Sequence, residues 1–160
     1  MAEKLDDMYR DIIMEHYRFP HGQEKILNPD IRNDGRNPVC GDEIEIRVKM
    51  NKDIIETVSV DCAGCAISTA SGSMLAEICK GKTIAEVKEI ARAVRALLKG
   101  EEYDSNIDIG DIEALQGVTK YPVRVKCALL SWTTLIDAID AGEAGRQLTV
   151  STTEDGDETD

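Results

Sequence analysis

Residues Glu43 to Met50 alternate without a break, with Ile44, Ile46, Val48 and Met50 on one side and Glu43, Glu45, Arg47 and Lys49 on the other. A period of two is the spacing at which side chains leave opposite faces of an extended chain, so this segment is a strand with one face in a core and one in water. Asn51-Lys52-Asp53 supplies a turn. Ile54, Glu56, Val58 and Val60, set against Ile55, Thr57 and Ser59, make a second strand with a less sharply divided face, and the two close an antiparallel hairpin.

What surrounds the hairpin is helical. Residues 3–18 place Leu5, Met8, Tyr9, Ile12, Ile13 and His16 at three- and four-residue spacing before Pro20-His21-Gly22 breaks the pattern. The small-residue run "AISTASGSMLAEICK" predicts a closely packed helix, and Thr83-Ile84-Ala85-Glu86 reads as a capping box opening another. "DIEALQGV" holds a short helix from Asp111. A last helix starts at Tyr121-Pro122, with Val125, Leu129, Trp132, Leu135, Ile136 and Ile139 as its apolar stripe. Residues 22–41, rich in Asn, Asp, Gly and Pro, are expected to form only loop or short irregular strand. The fold class is therefore α+β, a small antiparallel sheet with helices packed on one face.

At 160 residues and 42% hydrophobic content the chain is sized for one core, assigned to residues 1–140. Residues 141–160 set six carboxylates against Arg146 alone and are expected to be an acidic, disordered tail. Acidic residues outnumber basic ones 31 to 19 and aromatic content is 4%, which removes both the counterion-releasing cations and the stacking platforms that nucleic-acid binding needs. No stretch approaches the ~18 uninterrupted apolar residues of a membrane span, and the N-terminus lacks a signal-like pattern. A cytoplasmic protein is expected, with neither nucleic acid nor membrane as partner.

The five cysteines, Cys40, Cys62, Cys65, Cys79 and Cys127, are an odd number, which in a reducing compartment points to metal binding or reactivity before disulfides. Cys40 precedes the first clear strand, Cys65 lies where strand meets helix, and Cys127 lies in the first turns of the last helix. These three junctions can converge at one end of a sheet. Asp42, separated from Cys40 by Gly41, can add a carboxylate, and three thiolates with one carboxylate make a plausible tetrahedral zinc set. The competing reading, buried cysteines acting as small hydrophobes, is favoured for Cys79. Cys62-x-x-Cys65 suggests a redox dithiol, but the parallel βαβ setting of such motifs is absent, and a zinc ribbon needs a second pair. His16 is assigned to a helix face and His21 to a turn.

Four blocks, "NPVCGDEI", "GCAISTASGSM", "GDIEALQGV" and "YPVRVKCALLSW", together with the N-terminal "LDDMYRDIIMEHYRFP", resemble the IscU/NifU-like iron–sulfur assembly family and, within it, the SufU branch. The resemblance covers residues 4 to about 140. It implies that Cys40, Asp42, Cys65 and Cys127 are the metal-binding set, holding zinc in SufU-type members and a nascent [2Fe-2S] cluster in scaffold-type IscU members. It also implies that Cys40 accepts sulfur as a persulfide from a cysteine desulfurase of the SufS type and passes it to the assembly machinery. In the alternative, a cluster built on the four residues is handed to apo iron–sulfur proteins.

Three features point to the SufU branch: Lys126 stands where scaffold-type members usually carry a histidine, the segment between Cys65 and Cys127 is long, and "YPVRVK" departs from a Leu-Pro-Pro-Val-Lys chaperone site. Cys62 departs from the family pattern, as an idle thiol, a competing ligand or a second sulfur acceptor. Arg124 and Lys126 can steady the site or contact the desulfurase, or be solvated helix charges.

Overall fold

The computed structural model describes residues 2–143 and 150–153, with side chains from 7 to 142. Along the chain follow α1 (Ala2–Arg18), β1 (Ile31–Asn37), β2 (Asp42–Asn51), β3 (Ile54–Ala63), α2 (Ala66–Cys79), α3 (Ile84–Leu98), a 3₁₀ helix (Gly110–Val118), α4 (Pro122–Glu143) and β4 (Val150–Thr153). The strands lie in the order β3-β2-β1-β4.

β2 and β3 form the expected hairpin around Lys52-Asp53, with Lys52 at a φ of 60°. β2 keeps Ile44, Ile46 and Val48 inside, and the same periodicity carries Asp42 to the next inward position. β3 departs from simple alternation. Lys49 lies opposite Thr57 but Met50 lies opposite Ile55, so Glu56 is an extra residue. The bulge reverses the faces before it, burying Ile55 and exposing Ile54, while Val58 and Val60 remain inside.

The stretch expected as loop or short irregular strand contains β1, seven residues paired along their whole length with β2. Its inward residues are Asn33, Gly35 and Asn37, because α4 lies directly on them. A Cβ on Gly35 would come 2.0 Å from Thr134 Oγ1, and Asn33 Nδ2 donates to the Thr134 carbonyl at 2.9 Å. A helix at that approach leaves no room for Val or Ile and presents a backbone acceptor that needs a donor.

The sheet is antiparallel across β1 to β3, and β4 adds a parallel fourth strand along β1. Of the expected acidic tail, Ala141–Glu143 complete α4 and Val150–Thr153 form β4; residues 144–149 and 154–160 lie outside the described residues, and with them most of that expectation.

α2 and α4 form the layer against the sheet. Gly72 of α2 sits over Val60, where a Cβ would approach Val60 Cγ1 to 2.8 Å, and Ser71 Oγ donates to the Ala128 carbonyl of α4 at 2.6 Å. α4 is buried beyond its expected stripe, with Ala128, Leu130, Ser131 and Thr134 enclosed as fully as Leu129, Trp132, Leu135 and Ile139. It is the central helix, between sheet, α2 and α3. α3 begins with the capping box foreseen in its sequence: Glu86 N donates to Thr83 Oγ1 at 3.1 Å and Thr83 N to Glu86 Oε1 at 2.9 Å. The outer edge of β3 is covered, since Val60 N donates to the Gly22 carbonyl and Ile55 N to the Lys82 carbonyl, each at 2.8 Å.

The β1–α4 approach carries a measurable expectation. Gly35→Ala is predicted to destabilise the fold by about 1–3 kcal/mol through overpacking, and Thr134→Ala in the same chain to restore part of the loss. A double-mutant cycle by urea denaturation reads this coupling; simple additivity of the two changes would contradict it.

Candidate metal centre

Three junctions of the fold meet at the end of the sheet where β2 begins. The β1–β2 turn carries Cys40, and Gly41 after it takes a φ of 78°, with its amide donating to the Asn37 carbonyl at 2.8 Å. That left-handed turn allows Cys40 and Asp42, only two residues apart, to face one point. Asp42 then starts β2, 1% exposed.

β3 leads to the second contributor. Its last residues put Gly64 against Asp42, where a Cβ would fall 2.3 Å from Asp42 Oδ1. The missing side chain lets Cys65 N donate to Asp42 Oδ1 at 2.9 Å. Cys65 is the N-cap of α2, its sulfur accepting from Ser68 N at 3.4 Å. A thiol there sits among amide donors at the positive end of a helix, a setting that favours its thiolate.

α4 provides the third. Cys127 is 1% exposed, its sulfur 3.2 Å from Cys40 Sγ and 3.7 Å from Asn37 Nδ2. Cys65 Sγ is 4.0 Å from Asp42 Oδ2. The candidate ligand atoms of Cys40, Asp42 and Cys127 lie within 4.8 Å of one another. Ligands held ~2.0–2.3 Å from one tetrahedral zinc would be roughly 3–4 Å apart, so the donor chemistry and spacing of these three fit zinc, while Cys65, close to Asp42, does not lie within that limit of all three.

Charge is divided unevenly among the sulfurs. Cys65 is lowered to about 6, first because the Cys127 thiol donates a hydrogen bond to it and also because it accepts from the Ser68 amide. Cys127 moves strongly upward through that same hydrogen bond and through burial, so the inner sulfur keeps the proton and the cap position holds the charge. Arg124 lies beside the cluster and is raised first by the charge of Cys65, which favours its site-steadying role over a purely solvated one. Burial pushes Cys79 up to about 12, as suits a fully enclosed core thiol.

Cys62 does not sit in a loop with Cys65. It belongs to β3, opposite Ile44, and its sulfur lies against the hydroxyls of Ser68 at 3.4 Å and Thr69 at 3.7 Å. Burial raises it, above all other influences. The apparent Cys-x-x-Cys thus divides into a strand residue and a helix cap. Cys40 and Cys65 open onto a cleft of about 580 Å³ lined also by Lys120, Tyr121, Pro122, Val123 and Arg124, while Asp42 and Cys127 are buried.

Asn37 and Gly64 escaped the sequence reading. Asn37 lies in a stretch read as loop, and nothing in the sequence marks Gly64, whose missing side chain is what admits the Asp42 carboxylate.

A family model described as the NifU-like N-terminal domain matches residues 8–128. Over 141 residues the chain is 44% identical to a Bacillus subtilis (strain 168) protein named zinc-dependent sulfurtransferase SufU, covering 88% of this chain and 95% of that one. It is 33% identical over 153 residues to an iron–sulfur cluster assembly scaffold protein IscU of Streptococcus pyogenes serotype M1, covering 96% of each. A crystal structure ascribed to an iron–sulfur cluster assembly scaffold of the SUF system in Fervidobacterium islandicum AW-1 superimposes with a TM-score of 0.76 at 36% identity, covering 80% of this chain and 93% of that one.

In the metal-free protein, Cys65 is expected to alkylate first. Its rate should rise with pH through a midpoint near the lowered value of about 6 and then level off, because the thiolate is the reactive form. Cys79 should stay unmodified while the protein is folded. Peptide mapping after brief iodoacetamide pulses checks both, and a Cys65 midpoint near that of an ordinary thiol would refute the assignment.

Proposed function

The chain belongs to the NifU-like N-terminal domain family, and from that membership and the geometry of its cysteine cluster we propose that it is a zinc-binding sulfur-transfer protein of iron–sulfur cluster assembly. Cys40, Asp42, Cys65 and Cys127 are the proposed ligands. The observation that carries this reading is the arrangement of three thiols and one carboxylate with two members buried and two sulfurs open to a cleft. A purely structural zinc site has no need to face solvent.

Zinc bound there would hold its cysteine ligands as thiolates at neutral pH and fix the three chain junctions, without redox chemistry of its own. The remaining chemistry belongs to the chain. Cys40, on the turn and half-exposed, presents its sulfur to the terminal sulfur of a persulfide on the donor. Attack by the Cys40 thiolate forms a new S–S bond and breaks the donor's, leaving a Cys40 persulfide and a donor thiolate, in the manner of thiol–disulfide exchange. Arg124 at the cleft can offset the negative charge gathered there. Asp42 holds the Cys65 amide, which keeps the loop that bears Cys65 against β2 while Cys40 reacts.

The donor is proposed to be a pyridoxal-phosphate cysteine desulfurase of the SufS type. The cleft rim offers a docking surface of mixed character, with Val39, Tyr121 and Val123 each about half exposed beside Lys120 and Arg124. No helix among the described residues is long and apolar enough to cross a membrane. All five cysteines are unpaired thiols, in keeping with a reducing compartment, and the cytoplasm is the proposed location.

A scaffold reading rests on the likeness to the streptococcal IscU protein. The same four side chains could then hold a [2Fe-2S] cluster as cargo. Lys126 disfavours it, because an ammonium side chain beside Cys127 has no lone pair to offer a metal.

Metal analysis of the isolated protein together with desulfurase turnover of cysteine tests the proposal. One zinc per chain and faster turnover are expected, and Cys40→Ala should abolish transfer of labelled sulfur to the chain. Persistence of transfer in that variant would eliminate Cys40 as acceptor. Gly64→Ala should displace the Asp42 carboxylate and weaken zinc retention; Cys65→Ala should lose the site, and Cys62→Ala should keep both zinc and transfer. A coloured cluster built anaerobically and passed to an apo-protein would favour the scaffold.

A further inference from the structure

Outside the cysteine cluster, a second group of metal-binding side chains gathers at the other end of α2. His16 is 5% exposed although it is charged or polar in every protonation state, and it comes from α1. Its Nδ1 is 2.7 Å from Ser73 Oγ and its Nε2 is 2.9 Å from Asp111 Oδ2, at the start of the 3₁₀ helix. Glu77, also on α2, reaches both histidines, with Oε1 at 3.8 Å from His16 Nε2 and Oε2 at 3.5 Å from His21 Nε2. The two imidazole rings are 5.3 Å apart, and one donor atom from each of His16, His21 and Glu77 lies within 4.8 Å of the others.

These spacings, one from each carboxylate oxygen, are long for hydrogen bonds and stand near the separations of ligands about one ion. Nitrogen and oxygen ligands about 2.0–2.1 Å from a tetrahedral zinc lie roughly 3.4 Å apart. The surroundings also prepare the donors. Ser73 Oγ already accepts the His21 backbone N–H at 2.8 Å, which anchors the turn carrying His21 over His16. A hydroxyl can donate to His16 Nδ1 or accept from it, so Ser73 serves either tautomer. With no ion, the tautomer protonated on Nε2 donates to Asp111. With an ion, the proton sits on Nδ1 against Ser73, and the freed Nε2 lone pair points at the metal while Asp111 is close enough to become a fourth ligand.

We propose that His16, His21 and Glu77, with Asp111, form a second binding site for a divalent transition metal of borderline softness such as zinc. Two imidazoles with carboxylates suit that class, and the absence of sulfur separates it from the cysteine cluster. The sites are well separated: Cys65 and Glu77 are twelve positions apart on or next to one helix, about 18 Å at the helical rise. Bound metal here would join α1, the turn after it, α2 and the 3₁₀ helix.

The chain has two histidines, both in this cluster, so imidazole signals report on it whatever the cysteine cluster holds. Full-length protein labelled with ¹⁵N-histidine is titrated with zinc chloride beyond one equivalent and the ring nitrogens are followed by NMR. Both Nε2 signals are expected to move together to saturation. In His21→Ala the His16 signal should no longer respond, in Glu77→Gln saturation should need more zinc, and Asp111→Asn should weaken binding, since it replaces a carboxylate of the set with a neutral amide. His21 and Glu77 are about half exposed, so their substitution leaves the fold in place, which the ¹H–¹⁵N amide spectrum verifies. Unmoved rings in excess zinc would overturn the site, as would a His16 response that persists unchanged in both His21→Ala and Glu77→Gln.

Discussion

Asp42 is a carboxylate placed where the alternation of β2 would call for another isoleucine. Burying such a group is costly unless its charge is matched and its oxygens are bonded. The fold answers by bringing three separate chain junctions to it: the Cys65 amide across the space left by Gly64, Cys40 around the left-handed Gly41, and Cys127 from the underside on α4. The centre is thus an end of the hydrophobic core at which the inward face of the sheet changes from aliphatic side chains to a carboxylate flanked by thiols. Asp42 and Cys127 are enclosed by strand and helix packing, while Cys40 stands half-exposed on its turn.

How much of this was legible in the sequence depended on whether side chains were chosen by water or by close contact. β2 and the α3 capping box were readable because their residues divide cleanly between core and solvent. β1 was not, because Asn33, Gly35 and Asn37 face inward for reasons that exist only once α4 is seated on them. The Glu56 bulge was equally hidden, and it exchanged the places of Ile54 and Ile55. The converging cysteines could be picked out by their positions at element junctions, whereas the division of Cys62 from Cys65 required knowing that β3 runs on through Ala63. The histidines looked ordinary because their partners, Ser73, Glu77 and Asp111, are 52 to 95 residues away in the chain.

α2 links these observations. Its first half is made of small residues so that it can lie close to β3 and α4, as Gly72 over Val60 and Ser71 on the Ala128 carbonyl demonstrate. Close seating fixes the direction of its N-terminus, and with it the amide donors that stabilise the Cys65 thiolate. The sulfur with the greatest anionic character is therefore held by a backbone that the core defines, and the turn between β1 and β2 carries the sulfur proposed to react.

The covered edge of β3 bears on how such a protein survives in a crowded solution. A sheet of this size exposes rows of amide and carbonyl groups at its margins, and those rows can recruit strands from other chains. Here Gly22 and Lys82 occupy backbone donors along the margin of β3, and the Gln23 side chain reaches the Val60 carbonyl at 3.2 Å. Association through strand addition is thereby discouraged on that side.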